Sequence, residues 1–470
     1  MNNFETTIGI EIHLELNTKT KMFSPAPIDF NAAPNTCAHQ IDLAYPGTLP
    51  LVNRQAVIFG VKLAKALNMK IDNELHFDRK NYFYTDLPKG FQITQFYRPI
   101  GQNGQIKIDL NDSEKIINIE RIHLEEDTAR QHHDQETQLD FNRAGVPLIE
   151  IVSQPEIHSA DEAVAYVDAI RKVALTLGIS NAKMEQGSLR ADLNVSIRPI
   201  GSKVLGTKIE IKNLNSFRAI KTAIEFEINW QKEKLLRNEK ILQQTKRFDE
   251  ASQSNILMRT KTSAIDYKYF PEPNIPFIKL SNDFINQVKI DELPWEKKQR
   301  YQKENIPTIF ANSLLNNIEL SNYFDSIKYA DREKLAKLFF AEVVSLANSK
   351  NVEVQALNIK NTYFEQALQL LGQETISSKS FKKLITLLPD FDSDLLKLIK
   401  ENNLQQISDP KIIKSFIEQT LKENPNLIQD YKQRPDRAIK QILGNIMKIS
   451  NGQVNPTITN DLVIEALKNI

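Results

Sequence analysis

Residues 189–198 alternate apolar and polar side chains without a break. Leu189, Ala191, Leu193, Val195 and Ile197 fall on one side, and Arg190, Asp192, Asn194, Ser196 and Arg198 on the other. A period of two puts successive side chains on opposite faces of a strand, so the segment requires a sheet with one buried and one polar face. The pattern recurs. Ile10, Ile12, Leu14 and Leu16 oppose Glu11, His13 and Glu15; Ile209 and Ile211 oppose Lys208, Glu210 and Lys212; Ile149 and Ile151 flank Glu150. Such strands predict an antiparallel sheet with one face on a core and the other in water. A solvated face explains any one of them. Together they place acids, bases and an imidazole on the same wet surface.

Three helices are expected among the strands. Arg54 to Asn68 and Phe217 to Asn238 carry helical spacing. Ser159 to Leu177 also has an N-cap, Ser159 with Glu162 three residues on. Residues 23–53 read as loop, Gln102-Asn103-Gly104 as a hairpin turn, and 266–276 as extended chain stiffened by proline. From Leu293 the alternation stops and Leu/Ile/Lys/Asn helices dominate. At 470 residues the chain is too long for one core. The expected division is 1–292, 293–405 and 406–470, an α+β first domain followed by all-α units. The last stretch, 411–470, holds nine Lys/Arg against six Asp/Glu, either a mild nucleic-acid patch or a solvated helix surface.

Charge and cysteine content narrow the classes. Lys+Arg 60 against Asp+Glu 59 leaves a net charge of +1, so a nucleic-acid partner must be held by local patches. Cys37 is the one cysteine, insufficient for an internal disulfide or a cysteine zinc site, and a reducing, cytoplasmic setting is expected. The N-terminus lacks a signal-peptide pattern, and no apolar run is long enough to span a membrane.

The densest chemistry is His123-Leu124-Glu125-Glu126-Asp127, directly after the strand-like run Ile116 to Ile122. Three adjacent acids suit a solvated loop, or a site where a cation such as Mg²⁺ compensates them. If the strands share one antiparallel sheet, Glu11, His13, Glu125, Glu126, Glu150, Asp192 and Glu210 converge, with Arg190, Lys208 and Lys212 beside them. Carboxylates for a cation next to bases for anionic oxygens are what phosphoryl transfer needs. No Walker loop, Gly-x-Gly-x-x-Gly or Gly-x-Ser-x-Gly is present. Between Phe77 and Tyr97, Arg79, Lys80 and Lys89 interleave with Tyr82, Phe83, Tyr84, Phe91 and Phe96. These rings either pack in a core or stack unpaired bases while the cations meet phosphates.

Six stretches carry a resemblance. They are Gly9 to Leu16, His123 to Asp127, Asn142-Arg143-Ala144-Gly145-Val146-Pro147-Leu148-Ile149-Glu150-Ile151, Gly187 to Asn194, Lys212 to Ser216, and Asp266-Tyr267-Lys268-Tyr269-Phe270-Pro271-Glu272-Pro273. In order and spacing they resemble the GatB family, one component of the tRNA-dependent amidotransferases. The resemblance implies an ATP- and Mg²⁺-dependent ligase acting in a complex with GatA and GatC. GatA releases ammonia from glutamine. GatB phosphorylates the side-chain carboxylate of Glu-tRNA(Gln) or Asp-tRNA(Asn), and ammonia displaces the phosphate. It also implies a cradle domain with a glutamine-synthetase-like sheet, a helical domain and a tail that grips tRNA. By matching position, Glu11, His13, Glu125, Glu126, Glu150 and Asp192 become metal and ATP candidates, with His13 either ligating or orienting a carboxylate. Glu125, Glu126, Arg190 and Lys212 become catalytic candidates, and Arg79, Lys80 and Tyr82 fall near the tRNA acceptor end. Many relatives place zinc-binding cysteines near Tyr45-Pro46-Gly47; with Cys37 alone, no zinc is expected. Glu125-Glu126-Asp127-Thr128-Ala129-Arg130 departs from the family's usual Glu-Glu-Asp-Ala-Gly-Lys, keeping a cation but losing a glycine. Two other readings are a tRNA-binding scaffold without chemistry and a ligase acting on a free amino acid.

Overall fold

The computed structural model describes residues 4–110, 113–133, 136–260 and 266–468. The chain forms two compact units, Met1–Lys297 and Lys298–Ile470.

Among the described residues sixteen strands lie in the first unit: β1 Phe4–Glu15, β2 Lys70–Ile71, β3 Glu74–Leu75, β4 Asp78–Asn81, β5 Phe91–Thr94, β6 Gly101–Leu110, β7 Ser113–Glu126, β8 Arg130–His133, β9 Thr137–Asp140, β10 Pro147–Ser153, β11 Leu189–Pro199, β12 Ile209–Leu214, β13 Gln244–Asp249, β14 Ser254–Thr260, β15 Phe270–Pro271 and β16 Ile278–Lys279. Nine of them make one sheet in the order β14-β13-β12-β11-β1-β10-β7-β6-β2. The chain's longest alternating segments occupy its centre, where both neighbours can pair.

Ile8, Ile10, Ile12 and Leu14 of β1 are fully buried, in one core cluster with residues of α1 (Arg54–Ala66), α2 (Ala160–Thr176) and α3 (Phe217–Leu236). Each such aliphatic side chain contributes about 1.5–3 kcal/mol when fully buried. Ser159 caps α2 as its sequence suggests, accepting from the Glu162 amide at 3.1 Å. That core leaves the opposite face of β1, with Glu11, His13 and Glu15, free for polar work.

Three expectations are corrected. The sheet is not wholly antiparallel, because β12 and β13 pair in parallel. The chain leaves β12, passes through α3 and returns beside it, and a strand reached through such a crossover re-enters in the same direction. Gln102-Asn103-Gly104 is not a turn but lies inside β6, with Asn103 at φ +53°. Gly104 is needed there for close approach: a Cβ would sit 2.5 Å from the Met69 side chain and 2.8 Å from the Leu67 carbonyl oxygen. Finally, the strand does not stop at Ile122, because His123 to Glu126 form the buried end of β7.

The second unit is helical, from Lys298 onward. One apolar cluster is built on Phe324, Phe339, Phe364 and Phe381. A separate one joins Ile413, Ile417, Ile442, Ile446 and Val463 of the last helices. Among the described residues no helix is long and apolar enough to cross a membrane.

Candidate active site

Strand register builds the site. Glu11 stands opposite Asp192 on β11, and His13 stands opposite Arg190 on β11 and Glu150 on β10. Glu150 in turn stands opposite His123 on β7. Glu125, two residues beyond His123, shares its face. The His13 Nε2 atom lies 3.5 Å from Glu125 and 3.3 Å from Glu150, and His123 Nε2 lies 3.6 Å and 3.4 Å from the same two carboxylates. Two imidazoles and two carboxylates therefore alternate around one gap. These separations exceed ordinary hydrogen bonds, so the groups converge without closing on each other.

Burial sharpens the electrostatics. Burial disfavours the His123 imidazolium, but Glu150 and Glu125 outweigh it and raise its pKa to about 9. His13 is raised likewise, against burial, chiefly by the facing Glu150 carboxylate and then by Glu125. Burial opposes ionisation of Glu125 and Glu150 too, yet the two histidines hold both below the ordinary carboxylate range. Glu11 is raised by burial and by the nearby Glu150 and Asp192. This is a charge arrangement that a divalent cation can replace.

The donor set fits such an ion. One nitrogen of His13 and one oxygen each of Glu125 and Glu150 lie within 4.8 Å of one another, the one such group of three or more among the described residues. Octahedral Mg²⁺ with ligands at about 2.0–2.1 Å places neighbouring donors about 3 Å apart, close to the spacing here. His123 Nδ1 is buried with no partner among the described residues.

Around the cluster is a cavity of about 330 Å³. Glu11, Asp192, Glu210, Lys212, Lys80 and Arg121 line it, with Thr94, Phe96, Tyr267 and Tyr269. Lys212 is bonded to Asp192 and lies 3.3 Å from Glu210. Burial works against its ammonium, but Asp192 and Glu210 raise its pKa. Lys80 enters from β4; burial again opposes its charge, and Glu125 and Glu150 outweigh it.

Five residues singled out from sequence stand elsewhere, among them Lys208, which lines a separate cavity of about 300 Å³. Glu126 faces away from Glu125, buried, bonded to Lys89 and accepting from the Ile93 amide at 2.9 Å. The reason is the strand's period of two, which sends adjacent acids to opposite faces. Arg190 lies in a neighbouring cavity of about 800 Å³, held 2.8 Å from Asp127. Arg79 is clamped to Glu272 at 2.6 and 3.0 Å and covers the Phe91 ring. Tyr82 donates to Gln92 at 3.0 Å. Sequence reasoning passed over His123 as a site residue, although its spacing from Glu125 already put both on one face. It also missed Arg121, Tyr267 and Tyr269. No local signal brings 267–269 to β4. The loop between Phe23 and Asn53 is tied down by a buried ion pair, Lys21 to Asp42 at 3.0 Å, and Cys37 is buried.

Comparison with known proteins gives a family. Residues 6–286 match the model described as the GatB/GatE catalytic domain, and residues 322–467 match the GatB domain. A protein of Mycoplasmopsis agalactiae, named as the B subunit of an aspartyl/glutamyl-tRNA(Asn/Gln) amidotransferase, is 66% identical over 467 residues, covering 99% of both chains. Proteins with the same name are 60% identical in Mycoplasmopsis synoviae, over all of both chains, and 43% identical in Geobacillus thermodenitrificans, over 99% of both.

Proposed function

This chain belongs to the GatB family of the tRNA-dependent amidotransferases, and we propose that it activates the side-chain carboxylate of Glu-tRNA(Gln), Asp-tRNA(Asn) or both with ATP and Mg²⁺. A carboxylate oxygen attacks the γ-phosphorus of ATP and ADP leaves. Ammonia, released from glutamine by a GatA partner, then attacks the acyl carbon and phosphate departs, giving Gln-tRNA(Gln) or Asn-tRNA(Asn). The enzyme is a carbon–nitrogen ligase that works with GatA and GatC in the cytoplasm.

The observation that carries this reading is the gap bounded by His13, Glu125 and Glu150, set in a cavity with three cations on its walls. His13, Glu125 and Glu150 would hold Mg²⁺, which when bound supplies charge neutralisation at phosphate oxygens. The chain's own residues do the rest. Lys212 and Lys80 stay cationic and face the anionic oxygens from two sides. Asp192 fixes Lys212, and Glu11 and Asp192 complete the acidic rim for metal and nucleotide. Arg190, steadied by Asp127, extends the positive surface toward the larger cavity. Glu126 keeps Lys89 in place. Lys80 marks where the tRNA acceptor end enters, with Arg79 and Tyr82 bracing that wall.

The proposed division of labour has three parts. Residues 1–292 form the cradle with the glutamine-synthetase-like sheet, 293–405 the helical domain, and 406–470 a tail that binds tRNA. Separate apolar clusters on either side of residues 405–412 support the last boundary.

The test is ATP hydrolysis by the assembled complex with Mg²⁺, comparing Glu-tRNA(Gln), free glutamate and no acceptor, with Glu125→Ala alongside. Hydrolysis that requires charged tRNA and disappears in the variant is expected. Turnover on free glutamate would replace this reading with that of a free amino-acid ligase. Bound tRNA without hydrolysis under any condition would leave a scaffold.

A further inference from the structure

Three aromatic side chains stand at the carboxylate cavity without serving the core. Phe96, Tyr267 and Tyr269 line the same cavity as Glu125 and Glu150. Phe96 and Tyr269 are stacked, centroids 3.9 Å apart and planes 8° apart, and Tyr267 meets Tyr269 edge-on at 5.9 Å. None of the three belongs to the apolar cluster of this unit, and Phe96 is 48% exposed. Tyr267 and Tyr269 are half-buried behind it, so the exposed Phe96 ring is not explained by core packing, the usual reason for aromatics in strands.

The rings are also held rigidly. Asp78 accepts from the Phe96 and Tyr97 amides at 2.8 and 3.0 Å. Tyr97 donates to the Tyr269 carbonyl at 3.1 Å, and Asn81 donates to the Tyr267 carbonyl at 3.2 Å. The Arg79–Glu272 pair ties β4, the strand paired with β5 just before Phe96, to the segment that carries Tyr267 and Tyr269. The Lys80 ammonium lies 5.1 Å from the centre of the Tyr267 ring, so a cation stands beside the aromatic wall. A fixed ring with an open side, next to a cation, is how proteins hold unpaired bases and their phosphates.

Resting on the reading of the preceding subsection, we infer that Phe96, backed by Tyr269 and Tyr267, is a stacking subsite for an unpaired purine base of a substrate. Two substrates of that reaction carry such a base: ATP, and the terminal nucleoside of the aminoacyl-tRNA. The chemistry recognised is the same for both.

Equilibrium binding to the assembled complex separates them. The probes are a non-hydrolysable ATP analogue with Mg²⁺ and a terminal aminoacyl-adenosine in which a stable amide replaces the ester. Phe96→Ala is expected to weaken one probe about tenfold and the other less than twofold, with Tyr269→Leu acting in the same direction and Phe96→Tyr leaving both within twofold. Whichever probe weakens is the owner of the base. Unchanged binding of both probes in Phe96→Ala and Tyr269→Leu overturns the inference, as does equal weakening of both. Neither measurement needs turnover. A wild-type complex that fails to hydrolyse ATP with charged tRNA therefore counts against the function proposed above, and not against the stacking subsite.

Discussion

Each compact unit contains a cluster of opposite charges, and the two are closed to different degrees. In the helical unit Arg300 and Arg332 meet Asp325 at 2.8 and 3.1 Å, Glu304 lies 3.3 Å from both arginines, and Tyr301 donates to Asp325 at 3.1 Å. Those groups satisfy one another. On the sheet, His13, His123, Glu125 and Glu150 stay 3.3–3.6 Å apart, with a buried ring nitrogen left over. A closed cluster orders the chain. An open one keeps its groups available to something else, and half-satisfied buried polar groups are retained where they serve a site.

The sharpest way to break this contrast is Glu125→Ala. Acceptor-dependent ATP hydrolysis should fall by about a thousandfold or more, a loss of about 4 kcal/mol in transition-state stabilisation. The urea midpoint should fall only modestly, because the loss of the acid facing two imidazoles is partly offset by relief of the repulsion between Glu125 and Glu150. A large stability loss with activity retained would make the sheet cluster structural, like the helical one.

Ligand linkage comes next. Mg²⁺ at one hundred times its dissociation constant should stabilise the chain by about 2.7 kcal/mol if the ion binds only the folded state. Thermal unfolding with and without Mg²⁺ measures it, and Glu150→Ala should abolish the increment. A persisting increment would put the cation elsewhere.

Asp325→Ala tests the other side. Removing the acid shared by two arginines should cost about 2 kcal/mol in a urea titration, less than the roughly 3–5 kcal/mol of a fully buried pair because the site is partly exposed. ATP hydrolysis should be unchanged.

The smallest effect asks whether closure, rather than location, decides. Lys246 lies on the sheet unit but is closed, 3.0 Å from Glu227 with its ammonium 3.4 Å from the Trp230 ring centre. Burial lowers its pKa, an effect that Glu227 only partly offsets. The folded state thus binds fewer protons than the unfolded state just below the ordinary lysine value. Stability should therefore rise with pH through that window. Urea midpoints between pH 8 and 10 should show a rise in the native chain that is weaker in Lys246→Met, with hydrolysis retained in both.

Much of this was legible beforehand, and the misses have physical causes. Alternation put Glu11 and His13 on one face, and the Ser159 cap marked the start of α2. Both are local effects of backbone geometry. The adjacent acids Glu125 and Glu126 could not be separated until the phase of β7 was known, because composition does not say which of two neighbours points inward. Arg79 reads as a free cation near aromatics, and its buried partner Glu272 is 193 residues away. Gly104 looked like a turn residue, whereas its lack of a side chain serves the passage of Leu67 and Met69.

The sequence by itself determined which residues share a face, since a period of two is enforced within each strand by the pleat. It also determined where strands give way to helices near Leu293, since apolar spacing changes there. Only the tertiary structure decided which faces meet. Register between strands brings Glu150 within reach of both His13 and His123, the crossover through α3 turns β13 parallel to β12, and pairing of β15 with β4 carries Tyr267 and Tyr269 to the cavity. Those placements arise from contacts between segments far apart in the chain, which no local pattern encodes.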